Sequence, residues 1–82
     1  MSKVSILIAV YNASEFLSEC LDSVLKQTYR NIQVICIDDG STDNSLDILR
    51  EYASKDNRVT VISLPVNMGQ AHARNEGLKV AD

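Results

Sequence analysis

Two adjacent carboxylates, Asp38 and Asp39, end the apolar run 32–37 and are followed at once by Gly40, Ser41, Thr42 and Asp43. An ionised carboxylate accepts hydrogen bonds and donates none. It suits a ligand N–H such as the imide of a uracil, or a sugar hydroxyl. Its other natural partner is a divalent cation, because hard metals take oxygen ligands. A buried parallel strand reads as a near-continuous apolar run, and open parallel sheets hold ligands just beyond the carboxyl ends of such strands. The acids therefore stand where that kind of fold keeps its ligand, and packing requires neither of them. Successive strand residues point to opposite faces, so one carboxylate is expected to look into the cleft and the other toward a helix or loop. The plainer alternative is that both cap the next helix and favour its dipole.

Two further groups could share that site. Tyr11 closes the first apolar run, and its ring offers a face on which a base can stack, worth about 1–3 kcal/mol for nucleic-acid bases. The alternative is a tyrosine packed at a sheet rim. The segment from Asn67 to Asn75 spans a loop and the start of a helix. Helix N-termini bind anions through free backbone N–H groups, and Arg74, one turn in, is within reach of a diphosphate. Its alternative is a surface arginine paired with an acid. His72, the single histidine, reads as a helix surface or rim residue.

The elements that position these groups follow from apolar periodicity. Val4 to Val10 is short, apolar and β-branched, and is the first strand. Tyr11 to Ser14 turns the chain. Asn12 with Glu15 three residues on resembles a capping box, with Ser14 competing as cap. Phe16, Leu17, Cys20, Leu21, Val24 and Leu25 recur at helical spacing, which predicts a helix to about Gln27. Ile32 to Asp38 is the second strand. Asp43 and the hydroxyls of Ser41 and Thr42 are available to cap the second helix, whose core positions are Leu46, Ile48, Leu49, Tyr52 and Ala53. Arg58 to Ser63 is the third strand, with Leu64 as its furthest extent, because Pro65 cannot donate to a ladder. Gln70 to about Val80 is a third helix, weakened at Gly77 by about 1 kcal/mol relative to alanine. The order β-α-β-α-β-α predicts an α/β fold: a three-layer, Rossmann-like parallel sheet with helices on both faces and right-handed crossovers.

The 82 residues make one small domain, 1–82. Apolar residues are 45% and charged residues 23%, with a formal net charge of −3 and scattered basic residues. That argues against nucleic acid as a partner, since phosphate backbones need clustered Lys and Arg. No apolar stretch reaches the roughly 18 residues of a membrane span, and no leader cleavage site follows Val10, so a cytoplasmic location is expected. Cys20, on the apolar helix stripe, and Cys36, inside the second strand, read as small buried hydrophobes. Glycine is missing from the turn Tyr11 to Ser14, which excludes a dinucleotide fingerprint. No Cys/His cluster has zinc spacing.

The blocks Val4 to Asn12, Cys20 to Tyr29, Ile37 to Ser45, Asn67 to Gly69 and Ala73 to Leu78, in this order and spacing, resemble the start of a family 2 glycosyltransferase of the GT-A fold. The resemblance covers almost the whole chain. It implies a nucleotide-diphosphate-sugar donor, commonly a UDP-sugar, and inversion at the anomeric carbon. It implies that Asp39 takes the base N–H, that Tyr11 contacts the base and that Arg74 lies near the diphosphate. Ala9, Asp38 and Gly69 join them as nucleotide-binding positions. Ala9 departs from the proline or small polar residue usual in the family.

In such a family a fourth strand closes with a D-x-D motif that holds Mg²⁺ or Mn²⁺, and a later acid acts as general base. This sequence contains no D-x-D. The expectation is a donor-binding, incomplete GT-A domain with sheet order 3-2-1, no catalytic or metal-ligating residue of its own and no transfer activity alone. The full-length enzyme could then be membrane-associated. The competing expectation is a non-catalytic fragment that binds a nucleotide or another subunit. The first strand, Val4 to Val10, has neither proline nor inward charge to protect an edge, so self-association through it is expected.

Overall fold

The computed structural model describes residues 4–26 and 31–81. Its elements run β1 (Val4–Val10), α1 (Ser14–Leu25), β2 (Ile32–Asp39), α2 (Ser45–Lys55), β3 (Val59–Leu64) and α3 (Gln70–Val80). The three strands form one parallel sheet with β2 in the centre. Val10 stands opposite Asp38, and Asp39 opposite Leu64. The β-α-β-α-β-α reading and the 3-2-1 order are both met.

Strand alternation divides the sheet into two apolar faces. Val10, Ile32, Val34, Cys36 and Val59 pack with Leu17 and Leu21 of α1 and Leu49 of α2. On the other face Ile35 and Ile37 pack with Ala73 of α3, flanked by Leu7, Ile62 and Leu64. Val34, Ile35, Cys36 and Ile37 are all fully buried. That continuous burial on both faces is why the central strand is apolar without a break from Val34 to Ile37. Gly77 also acquires a reason. A Cβ there would come within 2.8 Å of Ile37 Cδ1 and 2.9 Å of Leu7 Cδ2. The missing side chain lets α3 lie close on the sheet, which offsets its cost in helix propensity.

Several expectations are corrected. Phe16 belongs to the apolar stripe by spacing, yet it is 69% exposed. Cys20 is exposed too, while Cys36 is buried. Only Leu17 and Leu21 of α1 are buried, so the contact stripe is narrower than the apolar stripe. The expected end at Gln27 lies outside the described residues, and the helix closes at Leu25. β2 runs one residue further than expected, through Asp39. β3 starts at Val59, not Arg58. Arg58 instead sits in the preceding turn, where its guanidinium pairs with Asp56 at 2.7 Å and reaches the Leu25 carbonyl at 3.3 Å.

Neither expected cap on α1 forms. Its N-cap is Ala13, without a side-chain bond. The N–H groups at the start of that helix are served from the segment that leads from β2 into α2. Ala13 N–H donates to Ser45 Oγ at 3.0 Å, and Ser14 N–H to Asp43 Oδ2 at 3.2 Å. For α2, Asp43 Oδ1 accepts from the Ser45 N–H at 2.9 Å and from the Ser45 hydroxyl at 2.5 Å. The hydroxyls of Ser41 and Thr42 turn instead to Asn12.

Candidate functional site

The carboxyl ends of β1 and β2 and the loop after β3 meet at one rim of the sheet. Parity sends the two acids to opposite faces. Asp38 shares its face with Val10, toward α1 and α2. Asp39 shares its face with Ile37, toward α3. Both are buried, at 2% and 3% exposure.

Their partners differ as much as their directions. Asp38 Oδ2 accepts from the Ser41 N–H at 3.3 Å, and Oδ1 is buried without a hydrogen-bond partner among the described residues. Asp39 Oδ1 accepts from the Met68 N–H and Oδ2 from the Gly69 N–H, each at 2.9 Å. Asp39 therefore holds the loop leading into α3, and its two oxygens keep one acceptor direction each beyond those bonds. Neither acid caps α2.

Two glycines permit this approach. Gly69 adopts φ 96° as the N-cap of α3. Gly40 adopts φ 71°, and a Cβ on it would come within 2.5 Å of the Asn67 nitrogen and the Val66 carbonyl carbon. The chain after Asp39 thus passes in contact with the backbone of the loop that Asp39 grips.

A cavity of about 330 Å³ opens at this rim, lined in part by Ala9, Tyr11, Asp39, Asn67, Gly69 and Gln70. A second, of about 300 Å³, is lined by Leu7, Ile8, Ala9, Ile37, Gln70 and Arg74. Ala9 and Gln70 border both, so the two cavities adjoin. The structure thus brings Ala9, Tyr11, Asp39 and Gly69 to one cavity and Arg74 to its neighbour. Asp38 borders neither. Tyr11 is half-exposed. A third cavity, about 310 Å³ between α1 and α2 near Tyr52, is remote from these residues in the fold.

The sequence reading makes Asn12 a helix cap and misses its bonds to the loop after β2. Its φ of 48° is left-handed, a conformation asparagine tolerates better than most side chains. Its Oδ1 accepts from the Thr42 N–H at 2.7 Å, the Thr42 hydroxyl at 3.3 Å and the Asp43 N–H at 3.3 Å. Its own N–H donates to Ser41 Oγ at 2.9 Å. The available signal was an asparagine at a strand end directly after a candidate site residue.

Asp43 is held well below the usual carboxylate range, at about 2, first by the Ser45 hydroxyl. Burial pushes the Cys36 thiol up to about 12, which removes it as a nucleophile. Among the described residues no three His, Cys, Asp or Glu side chains converge as ligands for a metal ion. No helix of the described residues is long and apolar enough to cross a membrane.

Comparison with known proteins gives the family and the fold. The sequence pattern of the family described as Glycosyl transferase family 2 matches residues 5–82, and the chain belongs to that family. It is 45% identical over 78 residues to the glycosyltransferase GlyG of Streptococcus pneumoniae serotype 4, covering 95% of this chain and 26% of that protein. Among solved structures, a mannosyltransferase of Pyrobaculum calidifontis in complex with GDP-Man and Mn²⁺ superposes with a TM-score of 0.90 at 27% identity, over 98% of this chain and 24% of that one. S. aureus TarS 1-349 in complex with UDP superposes with a TM-score of 0.88 at 34% identity, over 99% of this chain and 25% of that one. The fold is that of GT-A-type glycosyltransferases, and the chain spans about a quarter of the length of these relatives.

Proposed function

We propose that residues 4–81 form the donor nucleotide site of an inverting glycosyltransferase that takes a nucleotide-diphosphate-sugar, with a UDP-sugar favoured. The observation that carries this reading is the cavity that joins Tyr11 to Asp39. The tyrosine ring supplies a stacking face. The carboxylate supplies an acceptor whose oxygens are fixed by two backbone N–H groups. A uracil edge presents one N–H between two carbonyls. Asp39 suits the N–H, and the side-chain amides of Asn67 and Gln70 are donors for the carbonyls. Arg74, in the adjoining cavity, is the cation we assign to the diphosphate. Asp38 joins the site as the residue that sets Ser41, behind the base.

In one structural neighbour the bound nucleotide is UDP and in another it is GDP-Man with Mn²⁺. A divalent cation balances diphosphate charge as a leaving group departs. We place its ligands, and the general base, outside residues 4–81, so that this stretch binds donor without transferring sugar by itself. We place the protein in the cytoplasm, where nucleotide sugars are its substrate. The outer edge of β1 has no strand partner among the described residues. It is the edge through which the stretch self-associates if produced in isolation, as light scattering would show.

The test is calorimetric titration of the intact protein with UDP and GDP, wild type against Tyr11→Ala. Removing a stacked ring is expected to cost about 1–3 kcal/mol of UDP affinity. Equal affinity in the two proteins removes the stacking platform. Tighter binding of GDP than UDP replaces uridine by guanosine as the donor base.

A further inference from the structure

We infer that Asn12 is a positioning residue for the donor site, acting by fixing Tyr11 relative to Asp39; this rests on the nucleotide reading above. Tyr11 is the last residue before Asn12 and borders the same cavity as Asp39. It is half-exposed, so little packing holds its ring. What holds its backbone is the residue after it. Asn12 leaves β1 in a left-handed turn and plants one carbonyl oxygen on three donors of the loop after β2. The exchange is reciprocal. Ser41 Oγ accepts the Asn12 N–H, Ser45 Oγ the Ala13 N–H, and Asp43 Oδ2 the Ser14 N–H. Two loops about 30 residues apart in sequence are thereby made one body. One carries Tyr11, and the other begins directly after Asp39.

The side chain has two separable duties. It tolerates the left-handed backbone, which glycine does more easily, and it supplies the acceptor, which glycine lacks. Aspartate keeps both, because it tolerates the left-handed region like asparagine and offers an oxygen at the same place. Stacking needs the ring held over the base at contact distance, and preorganisation is what such a clamp contributes to affinity.

The experiment is UDP titration of the intact protein as wild type, Asn12→Gly, Asn12→Asp, Tyr11→Ala and the Tyr11→Ala/Asn12→Gly pair, with thermal melts alongside. Asn12→Gly is expected to weaken UDP about tenfold while the protein stays folded, and Asn12→Asp to restore wild-type affinity. In the Tyr11→Ala background, Asn12→Gly is expected to have no further effect, because the two residues act through one ring. Wild-type affinity in Asn12→Gly overturns the inference, since backbone conformation alone would then suffice. An equal loss from Asn12→Gly with and without Tyr11 overturns it as well, since the clamp would then serve something other than the ring. No binding of UDP or GDP by the wild type removes the nucleotide reading itself, and this role with it.

Discussion

The Gly69 N–H donates to Asp39 Oδ2 at 2.9 Å across 30 residues of sequence. With the matching bond from Met68, it makes a strand-end carboxylate the anchor of the loop before α3. Asp39 is thus a structural acceptor and a candidate ligand acceptor at once, and the two roles support each other. The loop bonds fix the direction of its two oxygens.

The two acids should therefore differ when neutralised. Asp39→Asn places an amide NH₂ against a backbone N–H and is expected to cost about 1–3 kcal/mol of stability. Asp38→Asn can keep its oxygen toward Ser41 and turn its NH₂ to the position of Oδ1, which has no partner among the described residues. It is expected to cost at least about 1 kcal/mol less than Asp39→Asn. Urea unfolding of the two variants checks this, and equal losses would contradict the assignment of partners.

Gly40 cannot carry a side chain. Its φ is 71°, and a Cβ would strike the Asn67 nitrogen at 2.5 Å. Gly40→Ala is expected to destabilise by more than about 2 kcal/mol, combining about 1–2 for the left-handed backbone with overpacking against backbone. It should also loosen the loop that Asp39 holds. Melting together with amide exchange at Met68 and Gly69 reads both effects.

The acid limb of stability should depend on Asp43. Its folded pKa is depressed to about 2, chiefly by the Ser45 hydroxyl, against about 3.9 unfolded. A depressed carboxylate contributes stability above its unfolded value and loses it as pH falls through the folded one. Between pH 4 and about 2 the unfolding midpoint of wild type should fall more steeply than that of Asp43→Asn. Asp56, lowered by its hydrogen bonds from Arg58, contributes in the same direction in both proteins. Parallel curves would show that Asp43 is not held as described.

The thiols should separate cleanly. Cys20 is exposed and Cys36 fully buried. An alkylating reagent at neutral pH is expected to label Cys20 in the native protein and Cys36 only after unfolding. Early labelling of Cys36 would mean that the central strand opens.

Much of the architecture was legible because it is encoded locally. The apolar run to Ile37 gave β2, and Gln70 to Val80 gave α3 within its observed bounds. Strand parity alone sent Asp38 and Asp39 to opposite faces. The family was legible from ordered blocks, and its model match bears that out. What escaped were relations between distant segments. Phe16 and Cys20 have helical spacing, but how much of that stripe α1 buries depends on its seat at the sheet. The Asn12 clamp joins loops 30 residues apart, and its acceptor serves backbone N–H groups that leave no mark in sequence. Asp39 likewise reads as a free acid, because its partners are main-chain groups of Met68 and Gly69.

The central claim is that a nucleotide base sits between Tyr11 and Asp39, and amide resonances read it directly. Titrating the isotope-labelled intact protein with UDP is expected to shift the Met68 and Gly69 N–H signals most, with Tyr11 and Gln70 following, because Asp39 would then share its oxygens between the loop and the base. Shifts centred on Ser18, Glu51 and Tyr52, at the groove between α1 and α2, with Met68 and Gly69 unmoved, would contradict it.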